Sequence, residues 1–309
     1  MRKLFAALVA AVSIVALGAT PAGAVTGNFV KDFEHPYVGL VAFYDADGNF
    51  MWRCSGSLLT DRVFLTAGHC TDQDAEESPV LARIWFHQNV GGAFNPVTGA
   101  EDPNTGYPNR CLEGDPLCVE STALFDFGFD NFAGFPNIHD VGLIILPEDQ
   151  AVSLPEYGQL AEAGFLESVL AGPPGHQDLT FTVAGYGVSR INPAQTVSFR
   201  ERLMALTHLV NLNESRNTAG FNLQLSSAPG GGRGGTCFGD SGGPTFYGDP
   251  SSNVIVGVNS WLFGFNRQTC GGTGFAFRTD TAAVIDWILG VVAENAPGEL
   301  GEIQIVEAP

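Results

Sequence analysis

The stretch Thr236-Cys237-Phe238-Gly239-Asp240-Ser241-Gly242-Gly243-Pro244 surrounds one serine with residues of little or no side chain and one carboxylate. A serine hydroxyl is a weak nucleophile until a base takes its proton, so Ser241 requires a histidine and a group to orient it. Glycines beside it clear the approach of a substrate carbonyl and let backbone N–H groups turn toward an oxyanion. These residue types suit nucleophilic acyl transfer. Gly239-Asp240-Ser241-Gly242-Gly243 also fits the Gly-x-Ser-x-Gly nucleophile elbow, in which the histidine follows the serine. The six histidines, His35, His69, His87, His139, His176 and His208, all precede Ser241. Pro244 also opposes the immediate helix that an elbow needs. The reverse order remains: Thr66-Ala67-Gly68-His69-Cys70, then Asn137-Ile138-His139-Asp140-Val141-Gly142-Leu143, then Ser241. That is His, Asp, Ser along the chain.

Other candidates carry less. His35, His87, His176 and His208 lack metal-ligand spacing, so neither metal nor cofactor is expected. His139 reads as a solvated neighbour of Asp140. Asp45-Ala46-Asp47-Gly48 begins like a calcium loop, but its twelfth position is Gly56 rather than Glu, and it reads as a hairpin turn. The acidic run Asp72–Glu77 reads as a solvated loop. The glycine-rich run 226–235 lacks the Lys-Ser/Thr ending of a phosphate loop.

The elements that must position these residues are short strands. Apolar runs at Tyr37–Tyr44, Ser57–Thr66, Ala82–His87, Val141–Leu146, Leu179–Ala184, Val254–Trp261 and Gly274–Arg278 are separated by Gly, Pro, Asn and Asp. Many short strands with turn signals indicate an all-β sandwich or barrel. Residues 88–137 and 147–160 read as loops or connections. Thr279-Asp280-Thr281 can cap a helix over Ala282–Leu289. Residues 1–24 read as a secretory signal peptide: Arg2 and Lys3, an apolar run from Leu4 to Leu17, and Ala22-Gly23-Ala24 as a cleavage site. The halves are placed at 25–150 and 151–290, followed by a loose acidic tail at 291–309. A secreted chain is expected to oxidise its six cysteines, which allow fifteen pairings. With 33 acidic residues against 14 Lys plus Arg, net charge −19, neither nucleic acid nor anionic membrane is an expected partner.

Here the chain resembles the chymotrypsin-like (trypsin-like) serine proteases, from about Val25 to Leu289. TAGHC at 66–70 is similar to the family's TAAHC, with Gly68 in place of an alanine. HDVGLIIL at 139–146 resembles its D-I-A-L strand, and Gly239-Asp240-Ser241-Gly242-Gly243-Pro244 resembles its GDSGGP signature. Val183-Ala184-Gly185-Tyr186-Gly187 is similar to its G-W-G turn, and Val258-Asn259-Ser260-Trp261 to its substrate-binding strand.

The resemblance implies two antiparallel six-stranded β-barrels with the cleft between them and a short C-terminal helix. It implies a secreted, monomeric serine endopeptidase acting on polypeptide substrates, with His69, Asp140 and Ser241 catalytic. The backbone N–H groups of Gly239 and Ser241 would form the oxyanion hole. It implies disulfides Cys54–Cys70 and Cys237–Cys270, leaving Cys111 with Cys118. Gly235, Ser260, Trp261, Leu262 and Gly274 would bind substrate. With Gly235 where basic-selective relatives carry an aspartate, and Leu262 narrowing the mouth, cleavage after small or medium apolar residues is expected. A cut after Ala24 would free Val25 to pair with Asp240 and order the oxyanion loop. The alternative on this fold is a secreted binding protein that has lost catalysis.

Overall fold

The computed structural model describes residues 25–73, 78–90, 111–171, 179–188, 190–192, 195–197, 200–213, 215–228, 230–264 and 270–309. The proposed signal peptide, 74–77 of the acidic run, and 91–110 lie outside these residues.

Two sheets carry the fold. The first runs, in spatial order, Cys118–Ser121, Leu81–Trp85, Val38–Tyr44, Phe50–Leu58, Val63–Thr66, Gly142–Ile145, Ala123–Asp126. Every neighbouring pair is antiparallel. Its two outer strands are separated in sequence by Thr122 alone, so the chain itself joins the sheet's edges. The sheet thereby closes into a barrel of six runs, which removes its open edges. Val41, Phe43, Phe64, Leu65, Ile84, Leu143 and Ile144 are fully buried in it. The second sheet runs Pro244–Tyr247, Thr180–Gly185, Leu203–Asn211, Asn222–Ser226, Gly272–Arg278, Val254–Gly264. Val254–Gly264 pairs back onto Pro244–Tyr247, which closes this barrel as well. The short strand Gln159–Ala161 adds to Val254–Gly264 in parallel.

The expectation of two antiparallel barrels with a C-terminal helix therefore holds, with three corrections of detail. First, the loop at 88–137 contains the strands Cys118–Ser121 and Ala123–Asp126. Each is four residues long and surrounded by turn residues, so only pairing with Leu81–Trp85 and Gly142–Ile145 defines it. Second, the helix spans Ala282–Asn295 rather than stopping at Leu289; the Thr281 hydroxyl accepts from Val284 N–H at its start. Gly290 sits on the exposed side, and the buried Val292 continues the stripe of Val284 and Ile288. Third, the tail is docked. Ile305–Val306 pairs in parallel with Leu160 and Ala161, and Ala308 N–H donates to Glu162. Val292 and Ala296 are buried and Ile303, Val306 and Ala308 half-buried, while Leu300, Ile305, Glu294, Glu302 and Glu307 are exposed.

The barrels meet across buried polar contacts. Arg202, 3% exposed, donates through Nη1 to the carbonyls of Val38 and Phe86 at 3.1 and 3.0 Å. Tyr186 Oη donates to the His87 carbonyl at 2.7 Å. A buried guanidinium is tolerated because its donors are met by fixed carbonyls.

Candidate active site

His69 stands where the buried strand Val63–Thr66 ends in a single turn of helix, Gly68–Thr71. Asp140, fully buried, lies two residues before the start of the strand Gly142–Ile145, which pairs with Val63–Thr66. Sheet register thus brings together residues separated by 71 positions. His69 Nδ1 lies 3.0 and 2.9 Å from the two Asp140 carboxylate oxygens. The His69 backbone N–H donates to Oδ1 at 2.7 Å, and the Ser260 hydroxyl donates to Oδ2. A carboxylate only accepts, so Nδ1 carries the proton and Nε2 is left with a free lone pair. Burial alone would lower the His69 pKa, but the Asp140 charge and hydrogen bond outweigh it and leave it raised. Burial would raise Asp140; the His69 interactions and the Ser260 hydroxyl hold it below the usual carboxylate range.

The nucleophile loop is clamped by the other barrel. Ser55 N–H donates to the Ser241 carbonyl at 2.7 Å, and Ser55 Oγ donates to the Gly239 carbonyl at 2.9 Å. Gly239 and Gly242 have φ of +92° and +78°, a backbone region that side chains disfavour. A Cβ on Gly242 would come within 2.1 Å of Thr66 Oγ1, so no side chain fits there. Within the described residues, the Gly239 and Ser241 N–H groups have no hydrogen-bond acceptor, so both remain available to a substrate oxygen.

Asp240 is fully buried and accepts from Cys237 N–H and Gly187 N–H, each at 2.8 Å. Burial pushes its carboxyl up to about 7, against the opposing effect of these donors, Arg53 and the Val25 backbone N–H. Val25 is itself wholly buried. The adjacent Thr26–Gly27 pairs with Gly234–Gly235.

His69 and Ser241 line one cavity of about 460 Å³. Among the described residues no hydrogen bond yet joins Ser241 Oγ to His69 Nε2, a contact that often tightens only with substrate in place. Ser260, Trp261 and Leu262 form part of the wall; Gly235 and Gly274 do not line it. The Ser227 hydroxyl lies 2.3 Å from where a Gly235 Cβ would stand, and Thr236 Oγ1 lies 2.7 Å from that of Gly274. Thr236 supplies the lining instead. Phe129, Asn131 and Phe132 also line the cavity, and no expectation had included them. Asn131 and Phe132 both adopt positive φ, 51° and 68°. Phe132 and Phe135 meet the Trp261 ring edge-on, and Trp261 stacks on Phe275 at 3.6 Å. The phenylalanines recurring through 125–135 were the available signal.

Three disulfides close Cys54–Cys70, Cys111–Cys118 and Cys237–Cys270. Among the described residues, the cluster of metal-ligating types close enough to share an ion is Cys54, His69 and Cys70. Its two sulfurs are bonded to each other, so it offers no thiolate.

A family model described as Trypsin matches residues 166–288. The chain is 24% identical over 273 residues to the CLIP domain-containing serine protease B4 of Anopheles gambiae, covering 85% of this chain and 68% of that protein. It is 27% identical over 266 residues to Trypsin, alkaline B of Manduca sexta, covering 84% and 89%. In fold it is similar to HL collagenase, with a TM-score of 0.58 at 18% identity over 86% of this chain and 97% of that one. Two closed β-barrels, the Trypsin match and the similarity to serine proteases along most of the chain indicate a chymotrypsin-like serine protease, a serine endopeptidase.

Proposed function

We propose that this is a secreted endopeptidase in which Ser241 attacks the scissile carbonyl and His69 takes its proton. Asp140 holds the imidazole in the Nδ1–H tautomer and stabilises its charged form. The N–H groups of Gly239 and Ser241 receive the oxyanion; each such donor is worth about 10²–10³ in rate. His69 then returns the proton to the leaving amine, and water attacks the acyl-enzyme by the same steps in reverse. The observation that carries this reading is the paired His69–Asp140 facing one cavity with Ser241. Purified Ser241→Ala is expected to fold and to lose proteolysis and fluorophosphonate labelling. Comparable turnover by that variant would sink the mechanism.

The cleavage preference follows from the wall. Among the described residues of the wall, His69 is the only ionisable side chain, and Leu262, Trp261, Phe238 and Thr236 narrow it. This favours small or medium apolar residues before the cut, with modest size discrimination, about 1–3 kcal/mol per methylene. Peptide-library profiling checks it; faster cleavage after Lys or Arg than after Ala, Val or Leu would show it wrong. Secretion rests on the signal-like residues 1–24. Removal of that segment would leave Val25 as the amino terminus, beside Asp240.

A further inference from the structure

The nucleophile loop rests against residues 53–55 of the first barrel. Ser55 contributes hydrogen bonds, but Arg53 contributes charge. Its guanidinium lies over Gly239: a Cβ at that glycine would stand 3.2 Å from Arg53 Nε and 3.4 Å from Nη2. The arginine thus occupies the space that a side chain on the oxyanion glycine would fill. Immediately next along the chain is Asp240, wholly buried. Three backbone N–H groups, from Cys237, Gly187 and Val25, point at its carboxylate. Amides hydrogen-bond a carboxylate without cancelling its charge. Of the groups acting on Asp240, Arg53 is the cation. In a chain with 14 Lys plus Arg against 33 acids, a cation at this place is not background.

We propose that Arg53 is a positioning residue, a resident counter-charge that holds Asp240, and with it the oxyanion loop, in place whether or not a charged amino terminus is present at Val25. The proposal rests on the protease reading of Ser241. Among the described residues, the charged and titratable groups facing this loop are Arg53 from the strand Phe50–Leu58, the Val25 end of the amino-terminal segment, and His69, which lines the same cavity as Ser241. Where Val25 remains in peptide linkage, Arg53 is the counter-charge among the described residues. Where Val25 is a free ammonium, the two share it. An unprocessed chain therefore keeps part of its activity, and that part depends on Arg53.

The test is a double-mutant cycle on the purified protein. Chains beginning at Val25, and chains with one alanine before Val25, each carry Arg53, Arg53→Met or Arg53→Lys. The readouts are the fluorophosphonate labelling rate of Ser241, and kcat and KM on an uncharged ester. Arg53→Met is expected to lower kcat in both backgrounds, and by about tenfold or more further in the alanine-extended chain, a coupling typical of groups in one network. Arg53→Lys should restore most of that loss. In the extended chain, the acid limb of kcat for Arg53→Met should lie at higher pH than with Arg53. An equal loss in both backgrounds, or a lysine variant as impaired as the methionine one, overturns the proposal. If Arg53→Met does not fold, Arg53→Gln makes the same comparison. If the unmutated chain beginning at Val25 neither labels nor turns over, the protease reading itself has failed, which is a separate outcome.

Discussion

Gly68 is where this chain departs from the alanine of the motif it resembles, and its surroundings give a reason. A Cβ there would stand 3.1 Å from the His139 carbonyl, from Phe129 Cβ and from Val141 N. His139 has φ of +53°, so the backbone just before Asp140 is already in an unusual region. Gly68→Ala should push this backbone away from His69, costing about 1–3 kcal/mol as overpacked sites do. A fall in kcat with KM little changed, together with a lower thermal midpoint, is the expected result. Unchanged values for both would mean that the segment 129–141 yields freely. The His69–Asp140 pair sets the pH response. In the proposed mechanism His69 must be neutral to act as base, and its pKa is raised. Activity should therefore disappear as pH falls through an inflection above the ordinary imidazole value of about 6.5. An inflection below that value in the profile of kcat/KM would contradict the pairing.

Among elements, one buried ion network fastens the second barrel to its helices. Arg278, 3% exposed, ends the strand Gly272–Arg278 and bonds both oxygens of Asp280 at 2.7 and 2.8 Å. It reaches both oxygens of Glu167 at 2.6 Å on the helix Phe165–Leu170. Asp280 also caps that helix by accepting from Leu166 N–H at 2.9 Å. Arg278→Met would leave Asp280 buried without a cation, a loss of about 3–5 kcal/mol. Urea unfolding should show the loss as a lower midpoint, while ester turnover per folded molecule stays the same. The Asp280→Asn, Arg278→Met double variant should recover part of it, since no buried charge then remains unpaired.

At the scale of the whole molecule, the amino-terminal segment belongs structurally to the second barrel. Thr26–Gly27 pairs with Gly234–Gly235, and Val30–Lys31 pairs with the strand Leu203–Asn211. With Val25 in peptide linkage, the Asp240 carboxyl is pushed up to about 7. A folded-state pKa above the unfolded one means that the folded chain binds more protons between about pH 4 and 7, so stability falls as pH rises through that window. A free ammonium at Val25 would stabilise the charged carboxylate and reverse this. In Ser241→Ala protein, which cannot digest itself, the chain beginning at Val25 and the alanine-extended chain should have similar thermal midpoints near pH 4. The extended chain should fall behind as pH approaches 7, and a gap independent of pH would exclude the pairing. Sequencing the amino terminus of the active secreted protein checks the cut before Val25; a terminus elsewhere would remove it.

What the sequence by itself determined was local. Ser241 among its glycines, His69 at the end of an apolar run and Asp140 at the start of another are readable because each sits in a short motif. Their order along the chain excluded the elbow. The β character of the runs at Val38–Tyr44 and Val254–Gly264 was legible because strand burial writes apolar residues into contiguous sequence. Only tertiary structure decided the rest, because it depends on pairs far apart in the chain. Four-residue strands at 118–121 and 123–126 have too little pattern of their own, and exist because each pairs with a strand distant in sequence that satisfies its backbone. The acidic tail read as loose, since charge dominates its composition. It docks because a few apolar residues and backbone hydrogen bonds to 160–162 outweigh that charge at the surface. Gly235 and Gly274 left the cavity wall because Ser227 and Thr236 fill the space over them. No motif marks Arg53 or Arg202 in the sequence; folding sets one against the nucleophile loop and the other between the barrels. A charge's effect depends on what surrounds it, and that environment is set by contacts that no local stretch contains.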